Sequence, residues 1–91
     1  MFTSKDIQSI DKKYFTILSS SAFCITLQSN KTKHCWHIVQ QSYPHFTSCQ
    51  IYHTQKESTP YHLHGHAANL YLALKKIRQH DSFQLNGRKM L

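Results

Sequence analysis

The chain carries 8 His in 91 residues, and three of them alternate in Tyr61-His62-Leu63-His64-Gly65-His66. In an extended backbone, residues two apart share a face at a spacing of about 6–7 Å. His62, His64 and His66 would then turn three imidazoles to one side. Imidazole nitrogen is a borderline donor that suits zinc, nickel or copper better than magnesium or calcium. A catalytic ion would keep a fourth position open. A structural ion would need a fourth protein ligand, and His53 or Cys49 would serve if their strand lay alongside. The same histidines also fit a polar loop that picks up metal only adventitiously.

Other chemistry is sparse. The acids are Asp6, Asp11, Glu57 and Asp81, and none forms a sequence pair suited to glycoside or metal-nuclease chemistry. Cys35 lies beside His34 and His37, but contacts at one and two residues along a strand do not make a nucleophile–base pair. With 2 Gly in the chain there is no phosphate-cradling loop, and neither G-x-S-x-G nor H-E-x-x-H occurs. The sequence therefore points away from an enzyme and from a nucleotide cofactor. His62-Leu63-His64 resembles the His-hydrophobic-His pattern of rolling-circle nucleases, and Tyr71 on a following helix resembles their nucleophile. That resemblance covers three residues and a tyrosine, without the acidic ligands of that family.

Charge gives the second line of argument. Lys+Arg number 11 against 4 Asp+Glu, a formal charge of +7 with neutral His. Such an imbalance favours an anionic partner, or serves only to keep a small protein apart from its copies. Lys31 and Lys33 fall on a polar turn, and Lys75, Lys76 and Arg78 on a helix; these five are the candidate nucleic-acid contacts, through phosphates. Lys56, Arg88 and Lys89 add to the charge. Trp36, Tyr43 and Tyr52 offer stacking surface, although Trp36 reads better as core or as an anchor for a partner.

Cys24, Cys35 and Cys49 cannot all pair within one chain, and there is no C-x-x-C. Unpaired thiols suit a reducing compartment, so a cytoplasmic location is expected. No apolar run approaches a membrane span, and Met1 to Asp6 lacks the apolar stretch of a signal peptide.

The elements that must hold these residues follow from periodicity. Ile7, Ile10 and Tyr14 at helical spacing, after Ser4 as a cap, predict a helix over 4–13. From Phe15 the period becomes two. Phe15, Ile17, Phe23, Ile25 and Leu27 share one face of a strand interrupted by Ser19-Ser20-Ser21. A polar turn at 29–33 leads to a second strand over 34–41, then a turn at Ser42-Tyr43-Pro44-His45, then a third strand over 46–54. A polar loop over 55–60 precedes the histidine-rich stretch. Leu70, Ala73, Leu74 and Ile77 predict a helix from about 66 to His80, ended by Asp81-Ser82.

The expected fold is α+β, with the order α-β-β-β-α. A short N-terminal helix precedes a three-stranded antiparallel meander, and a long C-terminal helix packs on one sheet face. Residues 1–85 form a single domain, and 86–91 a frayed tail. This order is similar to that of double-stranded-RNA-binding domains, and to the strand–strand–strand–helix order of integrase-arm DNA binders. Where the former carry a lysine cluster at the start of their second helix, this chain has His66-Ala67-Ala68-Asn69. The leading functional expectation is a small basic, non-enzymatic module for nucleic acid. The alternatives are a protein-interaction module, as a homodimer or with another chain, and a binder of zinc or another divalent transition metal.

Overall fold

A computed structural model describes residues 1–42, 47–56 and 59–86. The expected turn over Tyr43 to His45, Glu57, and the tail cations Arg88 and Lys89 lie outside them. The elements in chain order are α1 (Ser4–Gln8), β1 (Phe15–Ser20), β2 (Cys24–Ser29), β3 (Cys35–Ser42), β4 (Thr47–Thr54), β5 (His62–Ala67) and α2 (Leu70–Asn86). The strands form one antiparallel sheet in the order 1-2-3-4-5.

The expected three-stranded meander is therefore wrong by two strands. The first error is a hidden hairpin. The stretch read as one interrupted strand is β1 and β2, reversed at Ser21 to Phe23, where Ser21 N–H donates to Cys24 O at 2.8 Å and Ser21 Oγ accepts from Cys24 N–H. Phe15 and Ile17 pair with Ser29 and Leu27. Apolar residues of both arms thus face the same side; a bulge at Leu18 and the reversal each shift the phase, and the two shifts cancel, so the alternation in sequence runs on. The second error is β5. Its inward positions are occupied by histidine or small residues, so no hydrophobic alternation announces it. With five strands, the likeness in element order to double-stranded-RNA-binding and integrase-arm domains lapses.

The helices also shift. Thr3, not Ser4, caps α1, and its hydroxyl and the Asp6 carboxylate form a reciprocal capping box. The helix stops at Gln8 because Asp11 makes a turn of its own, its carboxylate accepting from Lys13 N–H at 2.9 Å. Asn69 caps α2, its side chain accepting from Leu72 N–H at 2.9 Å. That cap starts the helix after residue 66. Asp81 does not end it, because the residue is buried within the fold rather than turned to solvent.

One face of the sheet holds the core. Phe15, Ile25, Leu27, Trp36, Ile38 and Ile51 point to it, and Leu70, Ala73 and Ile77 close it from α2, with Phe2 and Ile10 filling one side. Ile7 packs against the same cluster, so both helices serve one face. Among the described residues no helix is long and apolar enough to cross a membrane.

Candidate metal centre

The inward row that crosses the sheet reads Leu27, Trp36, His53, His62, one residue from each of β2 to β5. It begins as core and ends as imidazole. His34 joins it, because it lies two residues before Trp36 and so on the same face. On α2 the stripe Leu70, Ala73, Ile77 continues at helical spacing into His80 and Asp81. Polar residues thus stand where the core pattern of β3, β4 and α2 runs on, and they meet at one end of the sheet.

His34, His53 and His80 bring one potential ligand atom each to within 4.8 Å of one another. His53 Nε2 lies 2.9 Å from His34 Nδ1, and His53 Nδ1 lies 3.5 Å from His62 Nε2. The His80 ring centroid is 4.9 Å from that of His53 and 5.6 Å from that of His34. His64 stands at the rim, 5.0 Å from His80 and 5.6 Å from His53. Trp36 is the floor. Its ring is fully buried and meets His53 at 4.3 Å, His80 at 5.1 Å and His64 at 5.3 Å, while its Nε1–H donates to Ser29 Oγ at 3.1 Å.

Three imidazoles around a tetrahedral zinc, with bonds of about 2.0–2.1 Å, stand about 3.3 Å apart. The gaps here, 2.9 to 4.8 Å, bracket that separation, and small ring rotations would reach it. The electrostatics favour neutral rings. Burial pushes the His53 pKa down to about 4, and the neighbouring His34, His80, His62 and His64 reinforce the shift. Burial also lowers His64, with His62 and Lys76 adding to it. His80 is lowered by burial and by His64, against an opposing pull from Asp81. Rings kept unprotonated near neutral pH hold their lone pairs ready for an ion.

A carboxylate supports the cluster from behind. Asp81 is fully buried and accepts from Tyr14 O–H at 2.8 Å and Thr32 O–H at 3.2 Å. Its Oδ1 lies 3.8 Å from His80 Nδ1, a buried nitrogen with no hydrogen-bond partner among the described residues. At 3.8 Å this is no hydrogen bond; a small turn of the ring would let the carboxylate accept from Nδ1–H and leave Nε2 for an ion.

The sequence-derived histidines divide. His62 and His64 stand at the cluster; His66 does not. Ile51 pairs with Gly65 but Tyr52 with Leu63, so β5 carries one extra residue, His64. This bulge reverses the phase of the strand. Gly65 and Ala67 face the core, and His66, opposite Gln50, faces away. His34 and His80 were missed. The signal for them was the continuation of an apolar face into histidine at the ends of β3 and α2. Cys49, weighed as a ligand, is buried opposite Ala67, two inward positions along β4 from His53.

The candidate phosphate contacts come from two elements. Lys31 and Lys33 lie on the β2–β3 turn. Lys75 and Lys76 are exposed on α2, and Lys76 Nζ donates to His66 O at 2.7 Å. Arg78 is occupied within the fold. It pairs with Asp11 at 3.4 Å and its guanidinium sits 4.4 Å from the Tyr14 ring centroid. Tyr71, 73% exposed, lines a groove with Asp11, Leu74 and Arg78, whereas His64 lines another with Lys76 and Gln79. His62 lines a third with Thr54 and Lys56, so the nuclease-like histidines and tyrosine open onto three different grooves. No family model, no curated protein and no solved structure matches this chain.

Proposed function

We propose that this protein binds a divalent transition-metal ion of the zinc class where α2 meets the sheet, through His34, His53 and His80. The observation that carries the reading is the convergence of three imidazoles from the β2–β3 turn, β4 and α2, with ligand atoms within 4.8 Å. An all-nitrogen set favours zinc, nickel, copper or cobalt over magnesium and calcium. Because the ligands come from separate elements, the ion would clamp the C-terminal half of α2 to the sheet.

The test is metal content and thermal stability of protein purified without a tag. The reading expects about one zinc per chain. It also expects a rise in Tm on the order of 10 °C when zinc is present at 100 times its Kd. Both should vanish in His80→Ala and persist in His66→Ala. Metal that is sub-stoichiometric, or retained in His80→Ala, would end the proposal.

A second reading, binding to nucleic acid, is favoured by the fate of the acids. Asp6 caps α1, Asp11 pairs with Arg78 and Asp81 is buried. Little negative charge among the described residues is left to offset the exposed lysines. Labelled RNA and DNA at two salt concentrations test this. Affinity should fall steeply with salt and drop in the double variant Lys75→Glu, Lys76→Glu.

A further inference from the structure

Beside the histidine cluster runs an open groove lined by His64, Gly65, Lys76, Gln79, His80 and Phe83. It shares His80 with the proposed centre and meets it there. Three features give this groove a chemical character. First, three neutral imidazoles cancel none of the charge of a divalent ion and leave one tetrahedral position for a ligand from outside. Second, Lys76 lines the groove, and its ammonium is tethered to the His66 carbonyl at 2.7 Å. Third, among the described residues no carboxylate lines the groove. Asp81, the nearest in sequence, is buried and engaged with Tyr14 and Thr32.

With an ion bound, a groove of that kind would carry a dipositive charge and a lysine, without a counter-charge among its described lining residues. A doubly charged oxyanion matches it better than a single carboxylate. Gln79 adds an amide donor, and Phe83, 66% exposed, adds an apolar wall. We propose that the groove seats a phosphoryl group, one oxygen completing the coordination of the ion and another accepting from Lys76. This rests on the metal reading and adds to it the class of the exogenous ligand. The phosphoryl group of a free phosphate and that of a monoester share the chemistry; the Phe83 wall distinguishes them, since only an aryl or nucleoside ester would reach it.

Cobalt(II) is the probe, because its visible absorption reports changes in its ligand set. The full chain is loaded with cobalt and titrated separately with inorganic phosphate, phenyl phosphate and acetate. The expected result is a saturable spectral change with phosphate, stronger than with acetate. Loss of one charge-assisted contact in Lys76→Gln should weaken it about tenfold. Tighter binding of phenyl phosphate, lost in Phe83→Ala, would assign the groove to monoesters, and equal binding would assign it to the free anion. Stoichiometric cobalt whose spectrum ignores phosphate, or responds equally in Lys76→Gln, would overturn the groove while leaving the metal centre intact. Failure to bind cobalt at all would remove the centre itself and this ligand with it.

Discussion

His53 Nε2 and His34 Nδ1 are 2.9 Å apart although 19 residues separate them in the chain. At that distance one nitrogen carries a proton and the other a lone pair. His53 Nδ1 lies 3.5 Å from His62 Nε2 on its other side. An arriving ion would take the place of the proton shared by His53 and His34, with the ring that carried it passing to its other tautomer and the rings opening by a few tenths of an ångström.

This arrangement gives an optical prediction. Trp36 is the only tryptophan, and its ring lies 4.3 Å from that of His53. Nickel or copper bound at the cluster should quench its fluorescence, with an end point near one equivalent. Zinc added first should protect against quenching. The variants His53→Gln and His80→Ala should lose the high-affinity phase, and His66→Ala should keep it. Quenching that is linear in metal without an end point would mean collision with scattered surface histidines.

The same cluster sets a dependence on pH. His53 titrates near 4 in the fold against 6.5 for an unperturbed histidine, and His64, His80 and His37 are lowered too. Below pH 6.5 the unfolded chain therefore binds more protons than the folded one, so stability falls as pH drops. The loss due to His53 should run from about pH 6.5 to about pH 4, with little slope above pH 7. Urea midpoints of the metal-free protein at pH 7.5, 6.0 and 5.0 check this. His53→Gln should flatten the curve; an unchanged slope would remove His53 as its source.

Asp81 should matter more than its place near the end of α2 suggests. It is fully buried and satisfies Tyr14 and Thr32, from the segment before β1 and from the β2–β3 turn. Removing it leaves two hydroxyls short of an acceptor, at a cost of about 1.5–3 kcal/mol. Asp81→Ala should show that loss in a denaturant titration, and Asp81→Asn, which keeps one acceptor oxygen, a smaller one. Tyr14, pushed up to about 12 by burial and by Asp81, should titrate lower in either variant, measured by tyrosinate absorbance. Wild-type stability in Asp81→Ala would mean that the carboxylate carries no structural burden.

Much of this architecture was legible where periodicity and burial coincide. The α2 stripe of Leu70, Ala73 and Ile77 reads directly as a buried helix face, and Trp36 with Ile38 reads as an inward strand face. Two kinds of feature were not legible. In the β1–β2 hairpin a bulge at Leu18 and the reversal shift the apolar phase in turn and cancel, so alternation cannot reveal the turn between Ser21 and Phe23. The bulge at His64 changes the phase without any composition signal, and it decides that His66 leaves the cluster. His34 and His80 are far apart in sequence, and only the closed sheet with α2 across it brings them together. Spacing along the chain, the basis for choosing His62, His64 and His66, reports local geometry and not this convergence.

Lys33 separates structural from functional charge. Its φ is 65°, the left-handed region, which costs a residue with a Cβ about 1 kcal/mol relative to glycine. It closes the turn that delivers His34: Lys33 N–H donates to Ser29 O at 2.8 Å and Ser29 N–H to His34 O at 2.9 Å. Lys33→Gly relieves the backbone, but glycine also gives the unfolded chain more freedom, which offsets part of the gain. The net expectation is a stability increase of up to about 1 kcal/mol in a denaturant titration, with zinc affinity unchanged. Nucleic-acid affinity should fall, and its salt slope should shrink by about one ion, if Lys33 meets a phosphate. A more stable variant with unaltered affinity and slope would show that this lysine serves neither the ion nor a phosphate. A less stable variant would mean that the turn needs the lysine side chain itself.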